Sequence, residues 1–246
     1  MLSEIKKISS LLLSVAFSSI GFIASITVTV LAAREVSSNP LFVGFPNAVG
    51  VGGAVLGTRM IYLISKNNSQ LNALAFTFLI GAFGGAIMFY SLIVDSFVLL
   101  LFGAFILGIG QSATLQTRYA ASFVASEKFK ATALSLAVWF SVFGSVFGPR
   151  MVGSYSNFFE NIFNSELIVG YVIALVGMLF AASSLFIFTS KKSILRSPSN
   201  LESELNNQNS NKKNGNLLSL LLVLNHFTMV VIMSATPLHI QDIGET

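Results

Sequence analysis

The groups in this chain that could bind, orient or protonate a polar solute are few and fall on two stretches. Gln111, Thr114 and Arg118 lie three and four residues apart, which on a helix puts an amide, a hydroxyl and a guanidinium on one face. Asn225, Thr228, Ile232, Thr236 and His239 repeat that spacing further along. Such a face could be a polar track for a solute, or it could supply the hydrogen bonds that join helices to one another in a membrane. Both readings are open for Gln111 and Asn225. Because an unperturbed imidazole changes charge near neutral pH, His226 is a candidate proton carrier, with a neutral, hydrogen-bonded histidine as the simpler account. For Arg118 and Arg150 the simpler account is a long cation reaching the headgroups from near a helix end.

Other chemistries are excluded early. No His, Asp, Glu or Ser cluster has catalytic spacing, so no catalytic residue is assigned and an enzyme is not expected. The chain holds no cysteine, which removes disulfides, Cys-ligated zinc and thiol nucleophiles. No metal set is found and no cofactor is expected. Gly108-Ile-Gly110-Gln-Ser-Ala113 fits the G-x-G-x-x-A dinucleotide pattern, but that pattern needs a strand before it, and this one lies inside an apolar run. The 14 basic residues give a net charge of +4, yet they are scattered between apolar runs and form no stripe for nucleic acid.

The elements that must position these groups follow from composition. Of 246 residues 54% are apolar and 10% are charged, against about 25% charged in an ordinary soluble domain. Water is therefore the wrong solvent for this chain, and the lipid bilayer is its first partner. Marking every Asp, Glu, Lys and Arg leaves seven long charge-free runs: Ile8 to Ala33, Val36 to Thr58, Asn67 to Val94, Ser96 to Thr117, Ala131 to Pro149, Leu167 to Ser190 and Asn214 to Gln241. A hydrocarbon core needs about 20 helical residues, so each run predicts a transmembrane helix. The first run, 26 residues long, exceeds the hydrophobic stretch of a signal peptide, about 7 to 15 residues, and reads as a retained helix. Gly53 with Gly57 and Gly81 with Gly85 are spaced for helix packing.

Basic residues accumulate in cytoplasmic loops. With the N-terminus inside, Lys6, Lys7, Arg59, Lys66, Lys128, Lys130, Lys191, Lys192, Arg196, Lys212 and Lys213 are cytoplasmic, while Arg34, Glu35, Asp95, Glu160 and Glu166 face the other side. The N-terminus is expected in the cytoplasm. Residues 191–215, rich in Asn, Ser and Lys, read as a disordered cytoplasmic linker. The expected organisation is an N-terminal six-helix bundle over 1–190, the linker over 191–215, and a seventh transmembrane helix over 216–246.

Particular residues carry a family resemblance. In the fifth span, Gly144-Ser-Val-Phe-Gly148-Pro149-Arg-Met-Val-Gly153 resembles the G-x-x-x-G-P-x-x-G element found in the fifth helix of exporters and antiporters of the major facilitator superfamily (MFS). Gly144 and Gly148 share a face suited to close helix contact, and Pro149 is expected to bend the helix. Gly108-Ile-Gly110-Gln111-Ser-Ala113 is similar to the family's fourth-helix element, and the stretches Arg118 to Ser122, Ala133 to Trp139 and Thr236 to His239 look like bacterial members. Three positions depart from the family pattern. The loop usually written G-x-x-x-D-R-x-G-R-R aligns with Gly57-Thr-Arg59 and Leu63-Ile-Ser65-Lys66-Asn67, without its aspartate and most of its basic residues. Ala104 stands where many proton-coupled members hold an arginine, and Phe123 where many hold a carboxylate.

The resemblance implies an all-α membrane protein, the six-helix N-terminal bundle of an MFS transporter plus a seventh helix, read as a truncated twelve-helix carrier. It implies multi-pass insertion in the plasma (inner) membrane of a bacterium and transport of an unknown small molecule by alternating access, with secondary active efflux as the direction. The first, fourth and seventh helices of such a fold line the path, which makes Gln111, Thr114, Arg118, Asn225, His226 and Thr228 its candidate residues. Protons are the candidate coupling ion, although no Asp or Glu falls inside any charge-free run. The other half of the carrier, or a second copy, is the expected partner. The alternative is a non-transporting scaffold or degenerate half-transporter. A seven-helix receptor or photoreceptor fits the count, but the charge bias puts the N-terminus on the wrong side, and the last span lacks a Schiff-base lysine.

Overall fold

The computed structural model describes residues 2–37, 42–163 and 165–189, which all belong to one compact unit. Its elements are helices: α1 (Leu2–Val36), α2 (Phe45–Asn67), α3 (Gln70–Ile93), α4 (Phe97–Val124), α5 (Lys130–Phe163) and α6 (Ile168–Thr189), with a 3₁₀ turn at Glu127–Phe129 before α5. Among the described residues there is no strand. All six helices are long and apolar enough to cross a membrane. The linker expected over 191–215 and the seventh helix expected over 216–246 lie outside the described residues.

Four helices, α1, α2, α4 and α5, run past the charge-free runs that announced them, α2 and α5 the furthest. The second run begins at Val36, whereas α2 begins at Phe45 and continues through Arg59 and Lys66. Pro46 accounts for the start, because a proline in the first turn gives up an N–H that would have had no helical partner anyway. The fifth run stops at Pro149, whereas α5 passes through it to Phe163 and takes in Arg150 and Glu160. Charge marks where a helix leaves the apolar layer; it does not mark where the backbone stops being helical. Short connections join the rest. Asp95 takes a left-handed φ of 49° between α3 and α4, a conformation that aspartate tolerates better than most side chains. The next residue, Ser96, caps α4 by accepting the N–H of Leu99.

The packing order repeats. α1 lies against α5 and α6, and α4 lies against α2 and α3 in the same way; α3 meets α6, and α1 meets α4. The helices α1–α3 and α4–α6 thus make equivalent neighbours for each other. The contacts are close because glycines sit in them. Gly108 of α4 abuts the carbonyl of Gly50 in α2, and Gly53 abuts that of Phe105, so neither position has room for a side chain. Gly81 and Gly110 face each other between α3 and α4, where a Cβ on Gly81 would stand 2.7 Å from the Cα of Gly110. In lipid, where burying apolar surface gives little drive, such backbone approach supplies the van der Waals contact that holds helices together.

Phe78, Leu74, Met88, Tyr171 and Met178 are fully buried between these helices. α2 and α5 flank the bundle and leave Val55, Leu56 and Leu63, and Trp139, Val146 and Phe158, exposed. Large apolar side chains on the outside would aggregate in water and are at home in hydrocarbon.

Candidate functional site on the fourth helix

The rotation of α4 is fixed by its glycines: Gly108 is turned to α2 and Gly110 to α3. That setting decides where the polar face goes. Thr114 is 3% exposed, while Gln111 and Arg118 are half-buried. The hydroxyl of Thr114 and the Nε of Arg118 are both shielded from solvent and neither has a hydrogen-bond partner.

Thr114 differs from its neighbours in this. Thr27, Thr29, Thr58, Thr77 and Thr117, the other threonines of α1 to α4, donate their hydroxyls to the carbonyl four residues back at 2.7–3.0 Å. Such back-bonding is the default way for a helix to absorb a threonine hydroxyl. Ser112, two residues before Thr114, likewise donates to the carbonyl of Ile109 at 2.7 Å. An orphaned hydroxyl therefore singles out Thr114 among these residues. Arg118, one turn on, stands six residues before the end of α4, about 9 Å along the axis.

The polar residues of α1 have a different fate, and the spacing rule alone did not separate them. Ser10, Ser14, Ser18, Gly21, Ser25 and Thr29 recur at threes and fours, the same signal that picks out the α4 face. In the bundle this stripe packs on α6. Ser14 donates to the carbonyl of Ala181 at 3.1 Å, Ser184 reaches the carbonyl of Ser10 at 3.4 Å, and the Tyr171 hydroxyl reaches Thr29 Oγ1 at 3.4 Å. These contacts join two helices and leave little for a solute, although the hydroxyl of Ser10 is itself unpaired.

The fifth-helix element faces α1 in part. A Cβ on Gly144 would lie 2.6 Å from the carbonyl carbon of Ser19, and one on Gly148 would lie 3.1 Å from the Ala24 nitrogen and the Ile20 oxygen. Gly153 has open space around it, and Pro149 and Arg150 are exposed. Asn225, His226 and Thr228 lie outside the described residues. No group of three or more His, Cys, Asp or Glu among the described residues could hold a metal ion.

Comparison with known proteins places the chain. Two uncharacterized MFS-type transporters of Bacillus subtilis strain 168 align along almost all of it: YdeG is 27% identical over 242 residues and YddS is 28% identical over 250, covering 94% and 97% of this chain. The chain is related to the MFS-type transporters. It spans 56% and 57% of the length of these two relatives. No family model and no solved structure matches it. With six membrane-crossing helices and transporter relatives, the chain is a multi-pass membrane protein.

Proposed function

We propose that the chain forms part of an alternating-access carrier that moves a small molecule across the plasma membrane by secondary active efflux, with its N-terminus in the cytoplasm. The observation that carries this reading is the polar face of α4: a half-buried amide, an orphaned hydroxyl and a guanidinium Nε without a partner, inside a bundle related to transporters. Buried polar groups are costly in lipid unless something pairs with them. A solute that enters, is held and leaves would provide that pairing intermittently. The close α2–α4 and α1–α5 contacts make the bundle suited to moving as one piece against its other half.

Proton coupling through His226 belongs to the same proposal, since no Asp or Glu lies in the middle of a span. The departures around Arg59 support the alternative of a scaffold or degenerate half, because the family's acidic loop residue is missing there. Dye accumulation in cells separates the two. The chain, expressed in a host stripped of its own efflux pumps, should lower the steady-state content of at least one dye among fluorescein, ethidium and Nile red, and Arg118→Gln should restore the level of the empty vector. Unchanged accumulation of all three, with the chain inserted in the membrane at normal abundance, would overturn the reading that copies of this chain assemble into a carrier.

A further inference from the structure

No carboxylate lies on the helix that carries Arg118. The described carboxylates stand near helix ends: Glu4 and Glu35 in the first and last turns of α1, Asp95 before α4, Glu127 on the 3₁₀ turn, Glu160 in the last turn of α5 and Glu166 before α6. Glu127, nearest to Arg118 in sequence, holds Lys130 at 2.7 Å. Among the described residues Arg118 has no ion pair. A guanidinium half withdrawn from water, with its Nε shielded and unpaired, gains from an anion that meets it.

Helix geometry weighs against escape to the headgroups. Helical side chains leave the backbone tilted toward the helix N-terminus. The nearer end of α4 is its C-terminal end, so the Cα–Cβ bond of Arg118 tilts away from that end, toward the turn of Thr114. The shielded Nε agrees with a side chain that stays against the bundle. The three groups on this face can all donate: the guanidinium through its fork, the threonine through its hydroxyl, the glutamine through its amide. The hydroxyl of Thr114 and the Nε of Arg118 stand without partners, and donors left unpaired in this way suit an oxyanion; the arginine fork matches the two oxygens of a carboxylate or phosphate.

We propose that Arg118, Thr114 and Gln111 bind the carboxylate or phosphate group of a small solute, so that the transported class is anionic. This rests on the carrier reading and narrows it. A lipid headgroup offers the same oxyanion chemistry, and the phosphatidylglycerol series below separates the two sources.

Equilibrium dialysis of the whole chain in phosphatidylcholine nanodiscs tests the site without requiring flux. The probes are radiolabelled benzoate, its uncharged counterpart benzamide, and inorganic phosphate as competitor; a parallel series adds phosphatidylglycerol to the discs. Benzoate should bind saturably and be displaced by phosphate. Its affinity should fall about tenfold in Arg118→Gln and several-fold in the isosteric Thr114→Val, and recover in part in Arg118→Lys. Benzamide binding should not respond to any of these changes. Elution profile and helical content show which variants are folded, and Thr114→Val carries the test if Arg118→Gln is not. The proposal is overturned if benzoate does not bind, if it binds equally to folded Arg118→Gln, or if Arg118 retains only phosphatidylglycerol. Arg118-dependent benzoate binding without dye efflux keeps the site and removes the carrier reading; efflux of a neutral dye without such binding removes the site alone.

Discussion

Replacing Gly144 by alanine puts a methyl group against backbone. The new Cβ would stand 2.6 Å from the carbonyl carbon and Cβ of Ser19 and 2.8 Å from the Ser19 oxygen, all on α1. Ordinary carbon contacts begin near 3.5 Å, so α5 must withdraw from α1 by roughly 1 Å or strain locally. Overpacking of this kind costs about 1–3 kcal/mol. Gly153 on the same helix has nothing within 4 Å and provides the reference. Both substitutions gain the helix propensity of alanine over glycine, about 1 kcal/mol at exposed positions, so that term cancels when they are compared. Gly144→Ala should therefore be less stable than Gly153→Ala by about 1–3 kcal/mol, or roughly 5- to 150-fold in the unfolding equilibrium. Titration with sodium dodecyl sulfate in dodecyl maltoside micelles, followed by circular dichroism, measures the difference. Equal midpoints for the two variants would refute the claim that backbone contact at Gly144 joins α5 to α1.

Two smaller perturbations probe other contacts. Tyr171 is fully buried and its hydroxyl meets Thr29 at 3.4 Å, while Thr29 keeps its own bond to Ser25. Tyr171→Phe should then cost about 1 kcal/mol or less, whereas Tyr171→Ala, which leaves a cavity, should cost about 3–5 kcal/mol in the same detergent titration. Glu127→Gln should change stability by less than about 0.5 kcal/mol, because the Glu127–Lys130 pair is solvated, with side chains 86% and 41% exposed.

Much of this architecture can be read from the sequence because the bilayer imposes it. A hydrocarbon layer excludes Asp, Glu, Lys and Arg from the middle of a helix, so gaps between charges report spans directly. The same rule misplaces ends. Arg59 and Lys66 lie within α2, and Arg150 and Glu160 lie within α5, since helices continue where the bilayer no longer forbids charge. Glycine spacing announced close helix contact at Gly53, Gly57, Gly81 and Gly85, but not the partner, because small residues permit approach from any apolar neighbour. The polar faces show the limit most clearly. Ser14, Ser18, Ser25 and Thr29 on α1 and Gln111 to Arg118 on α4 carry the same periodicity, yet in the first every hydroxyl is bonded, to α6 or to its own helix, and in the second a hydroxyl and a guanidinium Nε are without partners. Period reports which residues share a face; only packing reports what that face meets.

The central claim is that the face of α4 carrying Gln111 is reached by water from both sides of the membrane in turn. Because the chain has no cysteine, Gln111→Cys is a single reactive site, and Phe83→Cys on α3, 63% exposed on the outside of the bundle, serves as the lipid-facing control. A membrane-impermeant maleimide should label Gln111→Cys when added to either side of sealed proteoliposomes, and Phe83→Cys from neither. Labelling of Gln111→Cys no faster than that of Phe83→Cys from both sides would contradict the account.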